Sequence, residues 1–174
     1  VYFLAWTTTP WTLSSNTALC VGPQIEYVRV RSFNPYTGKE AIYVLAKALV
    51  GAWFNSKAAD IPLSDYKPGD KLVPYEVLGP EMKGSELTGI SYRQLIPWFK
   101  PIDGDAFKVI SGDYVTTEDG TGVVHIAPTF GADDKKVAAA FGIAPMQLKD
   151  ASGFLQPLVD REGRFYRLED MDPA

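Results

Sequence analysis

A run of uncharged hydrogen-bonding residues set between two tryptophans constrains the rest of this chain most. It reads Ala5-Trp6-Thr7-Thr8-Thr9-Pro10-Trp11-Thr12-Leu13-Ser14-Ser15-Asn16-Thr17. Ahead of it, Val1 to Trp6 is rich in residues that favour a pleated, packed surface and is expected to form a buried strand. Pro10 removes a ladder donor and pushes Thr9 toward extended backbone, so the strand should end there. A strand that opens this way presents hydroxyls and unpaired backbone amides at its exit. Such an exit suits a ligand carrying several oxygens.

The distant stretch Asp119-Gly120-Thr121-Gly122-Val123-Val124-His125-Ile126-Ala127-Pro128-Thr129-Phe130-Gly131-Ala132-Asp133-Asp134 has the same design, a strand running into a Pro-marked loop and then a helix. Alternation in Val123 to Ala127 puts Val123, His125 and Ala127 on one face. A lone histidine among small apolar neighbours reads as a hydrogen-bonded core residue or, given an orienting partner, as a general base. Asp133 and Asp134 fall in the first turn of the expected helix, where carboxylates complement the helix dipole and cap open amides. Gly120 and Gly122 do not make a nucleotide fingerprint. The third glycine is missing and a strand follows, so they serve a hairpin and close backbone packing. No phosphate loop or serine nucleophile elbow is present.

Composition narrows the function classes. At 174 residues the chain fits one domain over its whole length, and the net charge of −4 disfavours a stand-alone nucleic-acid binder. An RNA ligand should therefore be touched only at its end and bound weakly by this chain. The single cysteine, Cys20, excludes an internal disulfide, and the single histidine leaves no basis for a zinc site, so no metal or cofactor is expected. No apolar run approaches membrane-spanning length and the first residues lack a basic n-region, which points to a cytoplasmic protein without membrane partners. The chain enters directly as a strand from Val1 and reads as a piece of a longer protein.

Further strands are expected at Thr17–Val21, Ile25–Arg31 (half-exposed), Ala41–Leu45, Tyr75–Leu78, Ile90–Leu95, Phe107–Ile110, and as a hairpin at Tyr114–Thr117 and Gly122–Ile126. Leu45, Leu49 and Trp53 recur at every fourth position and predict a helix over Ala46–Asn55. A second helix should run over Ala132–Phe141, capped by Gly142. Ser56 to Asp70 reads as loop, Asn34 to Gly38 as a turn, and the tail from Ser152 as turn-rich with its best turn at Arg161-Glu162-Gly163. Many short strands with two helices make an α+β, β-rich chain, expected as a barrel-like β core with peripheral helices.

Threonine is a good strand residue, so three in a row could merely edge a sheet. A threonine nucleophile would need an adjacent base, and Ala5 to Thr17 supplies none. The remaining chemistry is non-covalent: hydroxyls and amides that hold a water and polarise an ester carbonyl. Together, Thr-Thr-Thr-Pro-Trp-Thr and Gly-Thr-Gly-Val-Val-His-Ile-Ala-Pro resemble the editing domain of class I aminoacyl-tRNA synthetases, specifically the isoleucyl type. Valyl and leucyl relatives typically carry Arg where Thr9 stands and lack this histidine.

The resemblance implies that Thr7, Thr8, Thr9 and Asn16 line the hydrolytic site and that Trp11 shapes its wall. It gives His125 a part in limiting pocket size, and Asp134 the recognition of the substrate's α-ammonium. It also implies the reaction: hydrolysis of the ester in valyl-tRNA(Ile), and of valyl-adenylate as a second substrate, without metal. The implied partners are the 3′ end of tRNA(Ile) carrying valine and the remainder of the parent synthetase. The rivals are a valyl- or leucyl-type editing domain and a module that only docks the tRNA end. Signatures of the aminoacylation site are absent from the sequence.

Overall fold

Glycine and proline punctuation leaves few uninterrupted runs long enough for a long strand, and the elements are correspondingly short. The computed structural model describes residues 1–167 together with Glu169. The strands are β1 (Tyr2–Phe3), β2 (Ala18–Val21), β3 (Glu26–Phe33), β4 (Glu40–Ala46), β5 (Tyr75–Lys83), β6 (Lys108–Ser111), β7 (Val123–Ile126), β8 (Leu148–Lys149) and β9 (Leu155–Gln156). The α-helices are α1 (Val50–Trp53), α2 (Gly84–Leu87) and α3 (Ala132–Ala140). No helix among the described residues is long and apolar enough to cross a membrane. The chain divides into two units, one made of Val1–Trp6, Val21–Leu87 and Asp113–Val124, the other of Thr7–Cys20, Thr88–Gly112 and residues from His125 onward.

In the first unit a sheet of order β1-β4-β3-β5 is built on an antiparallel β3–β4 hairpin. The hairpin turns at Asn34, whose Oδ1 accepts the amides of Tyr36 at 2.9 Å and Thr37 at 3.0 Å, as asparagine does in turns. Val28, Val30 and Leu45 form the core, with Leu4, Val50, Phe54 and Tyr75 packed on it. The buried Tyr27 hydroxyl accepts the Gly22 amide at 2.9 Å and donates to the Gly122 carbonyl at 2.5 Å. Gly122 has φ +73°, and a Cβ there would come within 2.5 Å of the Ala46 Cβ. This is the close backbone packing expected of the Gly-Thr-Gly segment.

A second sheet has the order β6-β2-β7, and the second unit holds β6 and a β8–β9 ribbon. Its buried apolar side chains include Ile110, Ile126, Met146, Leu158 and Val159. Helix α3 ends as its sequence predicts. Gly142 adopts φ +66°, its amide bonds Ala139, and the Ile143 amide bonds Ala138, which together make a Schellman cap.

Several expectations change. The first strand is not buried: β1 has two residues at the sheet edge, paired parallel to β4, and Val1 is 80% exposed. A parallel edge pairing gives it one neighbour instead of two. The strand expected at Ile25–Arg31 as half-exposed runs over Glu26–Phe33 and buries Tyr27, Val28 and Val30, because it has a partner on each side. The helix expected over Ala46–Asn55 splits into a 3₁₀ turn at Lys47–Leu49 and the single turn α1, since Leu45 is taken by β4. Trp53 leaves the supposed apolar face, and its indole donates to the Gly120 carbonyl at 2.6 Å.

The strand expected at Ile90–Leu95 is reduced to an isolated bridge, Ser91 to Lys108. Tyr114–Thr117 forms no strand, and β7 lies beside β2 instead of closing a hairpin. The tail gains β8 and β9 around Asp150, whose Oδ1 accepts the amides of Ser152 and Phe154. The turn at Arg161-Glu162-Gly163 forms as expected, with Asp160 Oδ1 accepting the Glu162 and Arg164 amides. The molecule is sheet-rich with few helices. The pairing among the described residues gives open sheets and no closed barrel.

Candidate active site

The threonine-rich stretch, its asparagine and the histidine all fall in the second unit. Thr9 stands just ahead of a 3₁₀ turn over Pro10–Ser15, with proline in its favoured first position. A 3₁₀ turn eclipses residues three apart, which stacks Thr12 on Thr9. The Thr12 amide donates to the Thr9 carbonyl at 3.0 Å and its hydroxyl donates to the same oxygen at 2.8 Å. The hydroxyls then form a line: Thr7 Oγ1 lies 3.3 Å from Thr9 Oγ1, which lies 3.3 Å from Thr12 Oγ1. The Thr9 amide closes the corner by donating to Thr7 Oγ1 at 3.0 Å.

His125 joins this line to Asn16. Its Nε2 lies 3.0 Å from Thr12 Oγ1 and its Nδ1 lies 2.9 Å from Asn16 Nδ2. The proton positions follow from the partners. Asn16 Nδ2 also faces the Ala18 carbonyl at 2.8 Å, and a carbonyl can only accept, so the amide nitrogen is correctly placed. Its other hydrogen points at His125 Nδ1, which must accept it. The ring proton therefore sits on Nε2 and is donated to Thr12, whose own proton is committed to Thr9. Burial pushes the imidazole down to about 4, so the ring is neutral at pH 7.

With both nitrogens engaged, His125 has no lone pair to offer a water. The orienting partner that a general base would need is present, but it donates to the ring where a base-orienting group would accept from it. Of the other expected residues, Thr8 is exposed and lies outside this line. Trp11 is 48% exposed, and a Cβ on Gly163 would lie 3.2 Å from its Cγ, so the ring leans on the tail. Asp133 is exposed. Asp134 reaches back from α3, and its Oδ2 accepts the Ala127 amide at 2.8 Å, two residues past His125. Burial raises its carboxyl above the usual range. Among the described residues no cluster of three or more His, Cys, Asp or Glu could hold a metal.

No protein-family model matches the chain. Individual proteins do. Isoleucine–tRNA ligase of Bacteroides fragilis is 64% identical over 171 residues, covering 98% of this chain and 15% of that protein. The ligase of Porphyromonas gingivalis is 57% identical over 175 residues, and that of Corynebacterium diphtheriae 41% identical over 162. This stretch belongs to the isoleucine–tRNA ligase family. It spans about 15% of the length of the ligases it matches.

In fold, the ligase segment resembles the P. falciparum cytosolic leucyl-tRNA synthetase editing domain, at TM-score 0.57 and 14% identity over 88% of this chain and 56% of that one. The P. knowlesi counterpart gives TM-score 0.54 at 16% identity, over 84% and 58%. The ligase segment thus carries the synthetase editing-domain fold.

Two members of the ligase segment's network were not singled out from sequence. Thr12 lies inside the motif and is betrayed by its spacing of three from Thr9 across a proline-started turn. Tyr92 carries no local signal. Its hydroxyl donates to Asn16 Oδ1 at 2.5 Å from 76 residues away.

The neutral His125 has a consequence for stability. The unfolded ring titrates near about 6.5, well above the folded value, so unfolding takes up a proton between the two. Stability is complete above the unfolded value and falls as the pH drops toward 4, by about 3 kcal/mol over the interval. Asp134 opposes this in part, because its raised carboxyl protonates first in the folded form and regains stability as the pH falls. Urea unfolding at pH 7 and pH 4.5 should show a larger loss in the wild type than in His125→Gln. Equal losses would contradict the neutral, buried ring.

Proposed function

We propose that this chain is a single editing domain of an isoleucine–tRNA ligase, which hydrolyses the ester joining valine to the 3′ end of tRNA(Ile). The observation that carries this reading is the hydrogen-bonded line from Thr7 through Thr9, Thr12 and His125 to Asn16, which unites the two distant motifs. The need for such a site is a size problem. One methylene is worth only ~1–3 kcal/mol to a pocket that must accept the larger substrate, a limit for which isoleucyl-tRNA synthetase is the usual illustration. A second, smaller pocket admits valine and excludes isoleucine by contact with a rigid wall.

In this reading water attacks the aminoacyl carbonyl, the C–O bond to the ribose breaks, and the ribose oxygen leaves with a proton. The water's other proton is released to solvent from the new carboxyl group, which is ionised at pH 7, and no covalent enzyme intermediate forms. Hydroxyls of Thr7 and Thr9 and the amides of their loop donate to the oxyanion as it develops. Thr8 faces the approaching tRNA end. Asn16 and His125 hold the loop, His125 also closes the far end of the amino-acid pocket, and Trp11 walls its side. Asp134 keeps one oxygen on Ala127 and presents the carboxylate to the α-ammonium, so the site requires an amino acid without reading its side chain.

Valyl-adenylate carries the same aminoacyl group and is a second substrate. The remainder of the synthetase supplies most of the tRNA affinity, because this chain is acidic, with a net charge of −4. The enzyme works in the cytoplasm, where tRNA is charged. Mixing excess protein with valyl-tRNA in a single turnover should release valine well above the buffer rate. A module that only docks the tRNA end would bind and release nothing.

A further inference from the structure

Tyr92 lies outside both sequence motifs, yet its placement is fixed with unusual care. Its amide donates to the Phe107 carbonyl at 2.8 Å, and the Phe107 amide donates to the Thr17 carbonyl at 2.6 Å. Phe107 thus ties the segment carrying Tyr92 to the residue that follows Asn16. To make both bonds Phe107 adopts φ +59°, a left-handed conformation that a bulky side chain rarely takes. The structure tolerates this strain where it aligns two side chains, the pattern expected at functional positions. The rings of Tyr92 and Phe107 meet edge to face at 6.1 Å, which fixes the phenol's direction.

The phenol can do one thing at its end point. Asn16 is 5% exposed, so its Oδ1 has little access to water, and the Tyr92 hydroxyl donates to it at 2.5 Å. Burial pushes the phenol above its ordinary range, so it remains a donor at every working pH. With Oδ1 held by Tyr92, the two hydrogens of Nδ2 are left for its two nearer acceptors, the Ala18 carbonyl and His125 Nδ1, with the Ile126 carbonyl farther off at 3.4 Å. That arrangement keeps the ring proton on Nε2, facing Thr12.

We propose that Tyr92 is a positioning residue of the editing site: it holds the Asn16 amide so that His125 keeps one tautomer and delivers its Nε2 proton to Thr12. Tyr92 touches no substrate in this role. It acts through Asn16, His125 and Thr12 on the geometry of the threonine line. The catalytic consequence rests on the editing reading, whereas the tautomer does not.

The chain has a single histidine, so ring ¹⁵N resonances report His125 without ambiguity. At pH 7 the wild type should show one neutral tautomer protonated on Nε2. Tyr92→Phe removes only the hydroxyl and leaves Asn16 Oδ1 buried without its donor. The amide should then leave its position part of the time, and the ring should sample both tautomers. Asn16→Asp, which can no longer donate to Nδ1, should move a proton onto Nδ1 and serves as the positive control. In the full-length ligase, Tyr92→Phe should lower kcat for valyl-tRNA hydrolysis about tenfold with KM nearly unchanged.

A Tyr92→Phe ring spectrum identical to the wild type, with Asn16→Asp shifted as expected, overturns the proposal. So does a shifted tautomer with unchanged kcat. A wild type that hydrolyses no valyl-tRNA would overturn the editing reading instead, and the tautomer measurement would still decide what Tyr92 does.

Discussion

Asp134→Asn should fold as the wild type does yet bind aminoacyl esters about ten- to a hundredfold more weakly, while Asp134→Ala should lose both binding and stability. On the proposed reading the carboxylate has two tasks. Its Oδ2 accepts the amide of Ala127, a residue only 1% exposed. Alanine leaves that buried amide without a partner, at a cost of about 1–3 kcal/mol, whereas the asparagine oxygen can still accept it. The charge is the second task. A hydrogen bond between ionised partners contributes about 1.5–3 kcal/mol, which sets the expected loss of affinity in both variants. From sequence alone Asp134 looks like an exposed first-turn carboxylate contributing ~0.3–1 kcal/mol through the helix dipole, so that alanine would be nearly harmless. The bond to Ala127 changes that expectation. Thermal melts and binding of a valyl-adenosine ester mimic separate the two tasks. An asparagine variant that binds like the wild type would remove Asp134 from ammonium recognition.

His125→Ala should let isoleucyl-tRNA be hydrolysed while valyl-tRNA hydrolysis is weakened but not abolished. Removing the ring leaves a space at the proposed end of the pocket, large enough for the extra methylene that the proposed wall would exclude. It also strips Thr12 and Asn16 of a shared partner, so stability should fall by about 3 kcal/mol. Rates must therefore be compared well below the melting temperature. Valyl hydrolysis should survive in part, because both ring nitrogens are already engaged and the proposed role asks no essential proton transfer of the imidazole. A general base at this position predicts that both esters become resistant, and that the wild-type rate follows a histidine titration. Loss of both activities in a folded variant would end the sieve assignment.

Local chemistry made part of this legible in advance. The turn at Asn34, the glycine cap of α3 and the strand carrying His125 all depend on residues within a few positions of one another. What was misjudged depends on partners far away. Spacing predicted a long helix after β4, but Leu45 had a better place in the sheet, and the Trp53 indole donates to the Gly120 carbonyl. The Asp119-Gly120 turn signal predicted a hairpin before β7, but β7 pairs with β2 instead.

The site shows the same division. Thr7, Thr9, Asn16 and His125 could be read from two motifs and do come together in one unit. Thr8 shares the motif but is exposed, since three successive residues leaving a strand cannot all turn inward. Tyr92 was out of reach, because nothing within its own segment distinguishes it from an ordinary half-buried tyrosine. Its role comes entirely from Phe107 and Asn16, far away in sequence.

The most direct test of the whole account is the ratio of two rates in one protein. Valyl-tRNA(Ile) and isoleucyl-tRNA(Ile) should be deacylated in parallel single turnovers by the full-length ligase that carries this segment. The account predicts rapid loss of valine and an isoleucyl ester that decays no faster than in buffer. Equal cleavage of both, or binding of both with cleavage of neither, would contradict it.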